Sequence, residues 1–307
     1  MIALLKLIRW RNLVTIIITE IIIKYVIMDY FLNEANFVYR LDNYTFIILL
    51  LSSVFVASAG NIINDIRDVE ADSNNKITKR PIVSGLISIK SANILFIVSS
   101  SLGVLSSVYA AWLIGAFGNA IFQFIVLGMI LMYSYRWKCR KLFGNIVVSL
   151  VTALVPALVW YYSIMDVSNN GIMFNYSLKE MHFTIFFFSL FAFISNLIRE
   201  IIKDREDKKS DLSSNCKTWA ALATHKVLIR SLTILLVVFS LLIFLFQIYS
   251  SQNIMFRLSF IIIHLIVYIY LIPKLRKAKD EEDFHNLSLR MKAVMLIGLS
   301  TSLLLWV

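Results

Sequence analysis

From Tyr44 to Asp72 the chain reads YTFIILLLSSVFVASAGNIINDIRDVEAD. Residues 44–63 carry no charge, and a helix of that length, rising ~1.5 Å per residue, spans the ~30 Å hydrocarbon core of a bilayer. Residues 64–72 then bring Asp65, Asp68, Glu70 and Asp72 in quick succession. An uncharged span ending in a burst of carboxylates describes a membrane helix with chemistry at its rim.

The rest of the chain agrees. Of 307 residues 59% are hydrophobic and 16% charged, too much apolar surface for one soluble core, so the bilayer is the main solvent. Apolar stretches recur near 12–31, 44–63, 92–114, 119–135, 146–165, 183–203, 228–249, 255–273 and 289–307. They are continuous, not the short alternating segments of a membrane barrel. The expectation is one all-α domain over residues 1–307, a polytopic bundle of about nine transmembrane helices.

A formal charge of +11 would suggest nucleic acid in a soluble protein, but here it follows topology. Lys and Arg number 3 before the first span and 5, 4, 8 and 6 in the alternate loops beginning near 63, 136, 199 and 274. The opposite side holds only Arg40, Lys179 and Arg257, while Lys24 lies within the first span. By the positive-inside rule the N-terminus and the basic loops are cytoplasmic, the C-terminus is outside, and the protein is integral to the cell (inner) membrane. No nucleic acid partner is expected. Met1 to Trp10 is a short amphipathic piece with Lys6 and Arg9 and no cleavage site before Asn12, so it reads as an interfacial foot. Cys139 and Cys216 both fall in cytoplasmic loops, where no disulfide is expected. His182, His225, His264 and His285 are dispersed without metal-ligand spacing and read as structural.

Nine of the 19 acids sit in two places. In the first, 61–72, Asn61, Asp65, Asp68 and Asp72 are spaced i, i+4, i+7, i+11; in the second, 196–211, Glu200, Asp204, Asp207 and Asp211 repeat those offsets 139 residues later. On continuous helices each set would form one edge, and the match suggests two related units. Carboxylates ~6 Å apart repel by ~3 kcal/mol at an effective dielectric of 20, so several in a row need counter-charge. Lys203, Arg205, Lys208 and Lys209 could supply it for the second cluster, leaving a solvated helix cap. Hard oxygen ligands in threes are better matched to Mg²⁺, which also keeps substrate phosphate oxygens. Two such clusters face to face would trap a diphosphate.

With these spacings in hand, Asn64-Asp65-x-x-Asp68-x-x-x-Asp72 resembles the first aspartate-rich motif of the UbiA-type intramembrane prenyltransferases. Lys79-Arg80-Pro81-Ile-Val-Ser84-Gly85-Leu-Ile-Ser88 resembles the stretch that follows it in that family. Tyr133-Ser134-Tyr135-Arg136-Trp137-Lys138 with Gly144-Asn145 is similar to the fourth-helix and loop signature, and Arg199-Glu200-x-x-Lys203-Asp204-x-Glu206-Asp207 to the second aspartate motif. The wording most resembles the geranylgeranylglyceryl-phosphate geranylgeranyltransferase branch. It departs where Ser210 precedes Asp211 and Lys217-Thr218-Trp219-Ala220 follows, which bears on the acceptor-side loop.

The resemblance implies Mg²⁺-dependent transfer of a prenyl group from a polyprenyl diphosphate, geranylgeranyl diphosphate among the candidates, to a lipophilic acceptor such as geranylgeranylglyceryl phosphate. Two Mg²⁺ ions and surrounding membrane lipids are the implied partners. Asn64, Asp65, Asp68 and Asp72 would hold one ion and Glu200, Asp204, Asp207 and Asp211 the other. Arg80, Lys138, Lys203 and Arg9 would meet the diphosphate. Asp68, Asp207, Lys138 and Tyr133 form the catalytic set, the Tyr133 ring facing the allylic cation. Arg80 and Lys138 read alternatively as topology markers, and Tyr133 as a belt aromatic. Rival readings are an aromatic prenyltransferase with a hydroxybenzoate or dihydroxynaphthoate acceptor, a CDP-alcohol phosphotransferase and a cation-coupled transporter. The Asp-Gly and Ala-Arg elements of the phosphotransferases are absent around Asp65 and Asp204. A transporter's broken Gly/Pro helices are absent from matching spans.

Overall fold

The computed structural model describes residues 2–34, 41–73, 80–167, 176–214, 216–250 and 253–307. The chain opens with a short amphipathic helix, α1 (Ile2–Leu7), whose Leu7 is buried. Eight further helices among the described residues are long and apolar enough to cross a membrane. They are α3 (Asn43–Arg67), α4 (Ile89–Leu113), α5 (Phe117–Trp137), α6 (Phe143–Ser163), α7 (Leu178–Glu206), α8 (His225–Tyr249), α9 (Ile254–Lys277) and α10 (Glu281–Trp306). The ninth expected span is α2, which runs through Trp10–Ile21 and continues as a π-helical segment, Ile22–Met28, and a last piece, Asp29–Glu34. It is as long as its neighbours but carries Glu20, Lys24 and Asp29 where they are apolar.

Helix starts follow local chemistry. The side chains of Asp42, Ser88, Thr224, Asn253 and Asp280 each accept a hydrogen bond from the backbone N–H three residues on, satisfying one of the orphan donors at the head of α3, α4, α8, α9 and α10. With lipid outside, helices hold together by close packing rather than by exclusion of water. Gly103 of α4 illustrates this: a Cβ there would sit 2.7 Å from a Val56 methyl of α3, and the space it leaves lets Ser52 Oγ donate to the Gly103 carbonyl at 2.6 Å. On the other side of the bundle an aromatic core joins α7, α8 and α9. Phe187 stacks on Phe246 with ring centroids 3.8 Å apart, and Phe256 and Phe260 meet Phe246 edge-on.

Both acidic motifs leave the ends of spans, α3 and α7, but neither lies on one continuous helix as the spacing suggested. Each helix breaks at the equivalent residue, Asp68 (φ −90°, ψ 0°) and Asp207 (φ −81°, ψ 6°), in the sparsely populated bridge region. A short helix then follows each break, Val69–Ser73 and Lys208–Ser213. The 139-residue offset is therefore a repeat of backbone shape as well as of residue type. The two short helices pack against each other, which brings the twin motifs to one rim.

A second correction concerns the cysteines. Cys139 and Cys216 form a disulfide, 77 residues apart in sequence. Compartment reasoning argued against it, but two short strands, β1 (Arg140–Lys141) and β2 (Lys217–Thr218), pair in parallel and set the cysteines side by side.

Candidate active site

Arg9 is in the left-handed conformation at φ 52°, one of two non-glycine residues with positive φ among those described. This turn between the foot and α2 aims the guanidinium at Asp65 Oδ1, 2.7 Å away, and Asn61 Nδ2 fixes the turn by donating to the Ile8 carbonyl at 2.9 Å. Arg80 approaches the same Asp65 oxygen at 3.5 Å. The Asp65 side chain is 1% exposed and its Oδ2 has no hydrogen-bond partner.

Asp68, one turn on, points elsewhere. Its Oδ2 accepts from Asn64 Nδ2 at 3.0 Å and from Lys138 Nζ, which arrives from the loop after α5. Gly144 makes that loop possible. A Cβ at this position would lie 2.8 Å from the carbonyl oxygens of both Trp137 and Lys138. The next residue, Asn145, donates to Asp204 Oδ2 at 2.9 Å. So the Gly144-Asn145 pair seats the lysine of one motif and orients a carboxylate of the other.

Around the second motif, Arg199 pairs with Glu200 at 2.5 Å, and Thr218 Oγ1 approaches Asp211 Oδ2 at 3.4 Å. Burial pushes the Asp211 carboxyl up to about 6; neighbouring Asp207 acts the same way, and Lys138 opposes both. Three of the four cations that could have neutralised this cluster locally are engaged elsewhere or face the cavity. Lys209 pairs with Glu281 at 2.9 Å, Arg205 donates to the Ala220 and Ala223 carbonyls, and Lys203 lines the cavity.

All of this surrounds one cavity of about 540 Å³. Of the eight expected metal ligands, Asn64, Asp68, Glu200, Asp204, Asp207 and Asp211 line it. Asp65 does not; it stands behind the wall, holding Arg9 and Arg80. The side chain of Asp72, like Lys79 of the following motif, lies outside the described residues. All four expected diphosphate cations, Arg9, Arg80, Lys138 and Lys203, line the cavity, and so does Tyr133, which begins a π-helical turn over Tyr133–Trp137. Such turns often mark functional sites.

Among the described residues no three carboxylate, His or Cys side chains converge on a single point. On the cavity wall Asn64 Oδ1 is a buried acceptor without a partner, and Lys138 occupies the charge of Asp68. This donor set fits a hard cation that takes one or two carboxylates and completes its shell with water and phosphate oxygens, not a closed protein cage.

Away from the rim the cavity turns apolar. Its lining runs from Asp68 back to Ser53 along α3, from Asn145 to Leu158 on α6 and from Asp207 back to Phe188 along α7, a depth of about 20–28 Å at 1.5 Å per residue. At the far end Gln123 Nε2 reaches Ser53 Oγ at 3.4 Å. Beside Ser53 lies Glu20, fully buried, with neither carboxylate oxygen in a formed hydrogen bond. Sequence reasoning missed Glu20, although a lone acid inside a span is a signal in itself. Lys292, which lines the cavity, was missed as well, and Asn145 and Arg199, also in the lining, stood in the quoted motifs without a role.

A bundle of this form, with twin acidic rims over an apolar tunnel, defines an intramembrane enzyme that handles a lipid diphosphate. Residues 36–294 match the UbiA prenyltransferase family, and the chain belongs to it. The digeranylgeranylglyceryl phosphate synthase of Methanobrevibacter smithii is 31% identical over 257 residues, covering 82% of this chain and 83% of its own. That of Methanosphaera stadtmanae is 31% identical over 260 residues, with 83% and 86% covered. A solved structure of digeranylgeranylglyceryl phosphate synthase superimposes with a TM-score of 0.65 at 25% identity, over 98% of this chain and 96% of that one. A UbiA homologue from Archaeoglobus fulgidus bound to GPP and Mg²⁺ shares the fold at TM-score 0.61 and 15% identity, over 97% and 99% of the two chains. The protein is thus a multi-pass membrane prenyltransferase, and the transporter and phosphotransferase readings fall away.

Proposed function

We propose that the enzyme transfers a geranylgeranyl group from geranylgeranyl diphosphate to the free hydroxyl of geranylgeranylglyceryl phosphate, releasing diphosphate at the cytoplasmic face. One observation carries this reading: both acidic motifs and the four expected diphosphate cations line a single cavity that continues between apolar side chains such as Val56, Val126, Val155 and Leu158. The relatives' names supply the acceptor. The depth of about 20–28 Å has room for four five-carbon units of roughly 5 Å each, by ordinary bond lengths.

Two Mg²⁺ ions, when bound, would neutralise the diphosphate leaving group. Asn64 and Asp68 on one rim, and Glu200, Asp204, Asp207 and Asp211 on the other, are the residues that would hold them; Asp72 is assigned with the first rim on sequence alone. Lys138, Lys203, Arg80 and Arg9 draw the diphosphate oxygens to the rim, and Asp65 positions Arg9 and Arg80. The allylic C–O bond breaks with its electron pair leaving on the diphosphate. The acceptor hydroxyl oxygen then bonds to the freed carbon, and its proton passes to the diphosphate or to water. Tyr133 offers its ring to the allylic cation, and the apolar walls keep water from it. The clusters of Lys and Arg in alternate loops support a cytoplasmic rim, with the C-terminus outside.

The test is transfer by purified protein of labelled geranylgeranyl diphosphate to geranylgeranylglyceryl phosphate, hydroxybenzoate or dihydroxynaphthoate, with Mg²⁺ or EDTA. Transfer is expected to the glyceryl phosphate, abolished by EDTA. Transfer only to an aromatic acid would overturn the acceptor assignment.

A further inference from the structure

The mechanism leaves one set of cavity cations unused. Lys292, on the last span α10, lines the cavity and donates to Asn12 Oδ1 of α2 at 3.3 Å. It makes no ion pair among the described residues. Arg199 and Arg11 are near enough to repel its charge. Glu200 already balances Arg199, so Lys292 is the cavity cation left in excess. Cations are not gathered in an apolar bundle without an anion to meet. A separate observation points to a ligand here. Asn196, one turn before Arg199 on the same helix, lines the cavity at 5% exposure, and its Nδ2 donor has no partner.

The seam between α2 and α10 is also where the cavity opens to the outside of the bundle. Asn12 and Leu296 both line it and are both exposed. We propose that Lys292, Arg199 and Asn196 form a second anion site at this lateral mouth, which holds the phosphomonoester of the acceptor lipid apart from the donor diphosphate. The inference rests on the acceptor class proposed above. Scale agrees with it. Asn12 lies three residues beyond Arg9, about 4.5 Å of helix rise, and phosphorus and hydroxyl oxygen on adjacent glycerol carbons are roughly 4–5 Å apart by ordinary bond lengths. A phosphate anchored here therefore leaves the neighbouring hydroxyl within reach of the diphosphate rim. The tail lies in the bilayer.

The experiment uses full-length protein in detergent, comparing wild type with Lys292→Met and Lys292→Arg. Two readouts are needed: equilibrium binding of geranylgeranylglyceryl phosphate and of its dephosphorylated alcohol, and steady-state transfer with each substrate varied. Lys292→Met is expected to weaken phosphate-lipid binding and to raise acceptor KM at least tenfold. Donor KM should stay within twofold, binding of the alcohol should not change, and Lys292→Arg should restore most of the loss. Unchanged binding in Lys292→Met overturns the site, as does an equal loss for lipid and alcohol, or a shift in donor KM alone. Wild-type protein that binds the phosphate lipid through Lys292 but transfers nothing to it would sink the proposed reaction and leave the anion site standing.

Discussion

The two acidic motifs share spacing and a helix break but differ in how their charge is met. At the first, cations arrive from distant parts of the chain: Arg9 and Arg80 on Asp65, Lys138 on Asp68. Its leading asparagine, Asn61, is spent on the Ile8 carbonyl. At the second, Asp204 is held only by an amide, Asp207 makes no side-chain hydrogen bond or ion pair among the described residues, and the leading Asn196 keeps a free donor. The same local shape is thus a braced rim at the first motif and an open one at the second. The open rim depends most on what binds there.

The largest test of that difference is catalytic. Asp207→Ala should lower Mg²⁺-dependent transfer by at least about a hundredfold, as loss of preorganised charge stabilisation does elsewhere. Its thermal unfolding should be unchanged without Mg²⁺. Asp65→Asn should do the reverse in kind: it leaves the half-buried Arg9 without its carboxylate, at a cost of about 2 kcal/mol, read as a lowered unfolding midpoint in detergent. Equal effects of the two variants on stability would break the comparison.

Acidity gives a smaller effect. Asp211 titrates at about 6, above the usual carboxylate range. The native state therefore favours its protonated form, a stabilisation complete below the ordinary carboxylate pKa and lost as pH rises through about 6. Metal binding needs the ionised form. The Mg²⁺ concentration for half-maximal activity should then rise between pH 7.5 and 5.5, by up to about tenfold per pH unit per proton displaced, and Asp211→Asn should flatten that slope. The smallest effect is at the asparagines. Asn61→Ala removes a formed hydrogen bond and should cost about 1 kcal/mol of stability, whereas Asn196→Ala removes none and should leave the midpoint unmoved.

Much of this was legible in the sequence because a bilayer allows few solutions: uncharged runs of span length gave the helices, and Lys and Arg gave a topology. The acids near 65 and 204 gave the rim for the same reason, since charge at a span end is costly enough to need a use. What could not be read was direction. Spacing placed Asp65 and Asp68 on one edge, but the Arg9 turn and the Lys138 loop send them to different partners. The Gly144-Asn145 pair was visible as a pattern, but its role depends on a close approach of backbone seen only in three dimensions. The Cys139–Cys216 bond was missed because the pairing of β1 with β2 leaves no local signature in two-residue strands.

The central claim is that the twin rims hold divalent cations against diphosphate. Thermal unfolding of the wild type with a non-reactive geranylgeranyl thiodiphosphate, in Mg²⁺ and in EDTA, tests it most directly. The account predicts that ligand and Mg²⁺ together raise the midpoint by more than their separate effects, and that Asp68→Ala or Asp207→Ala removes the excess. A ligand-induced rise of the same size in EDTA would contradict it.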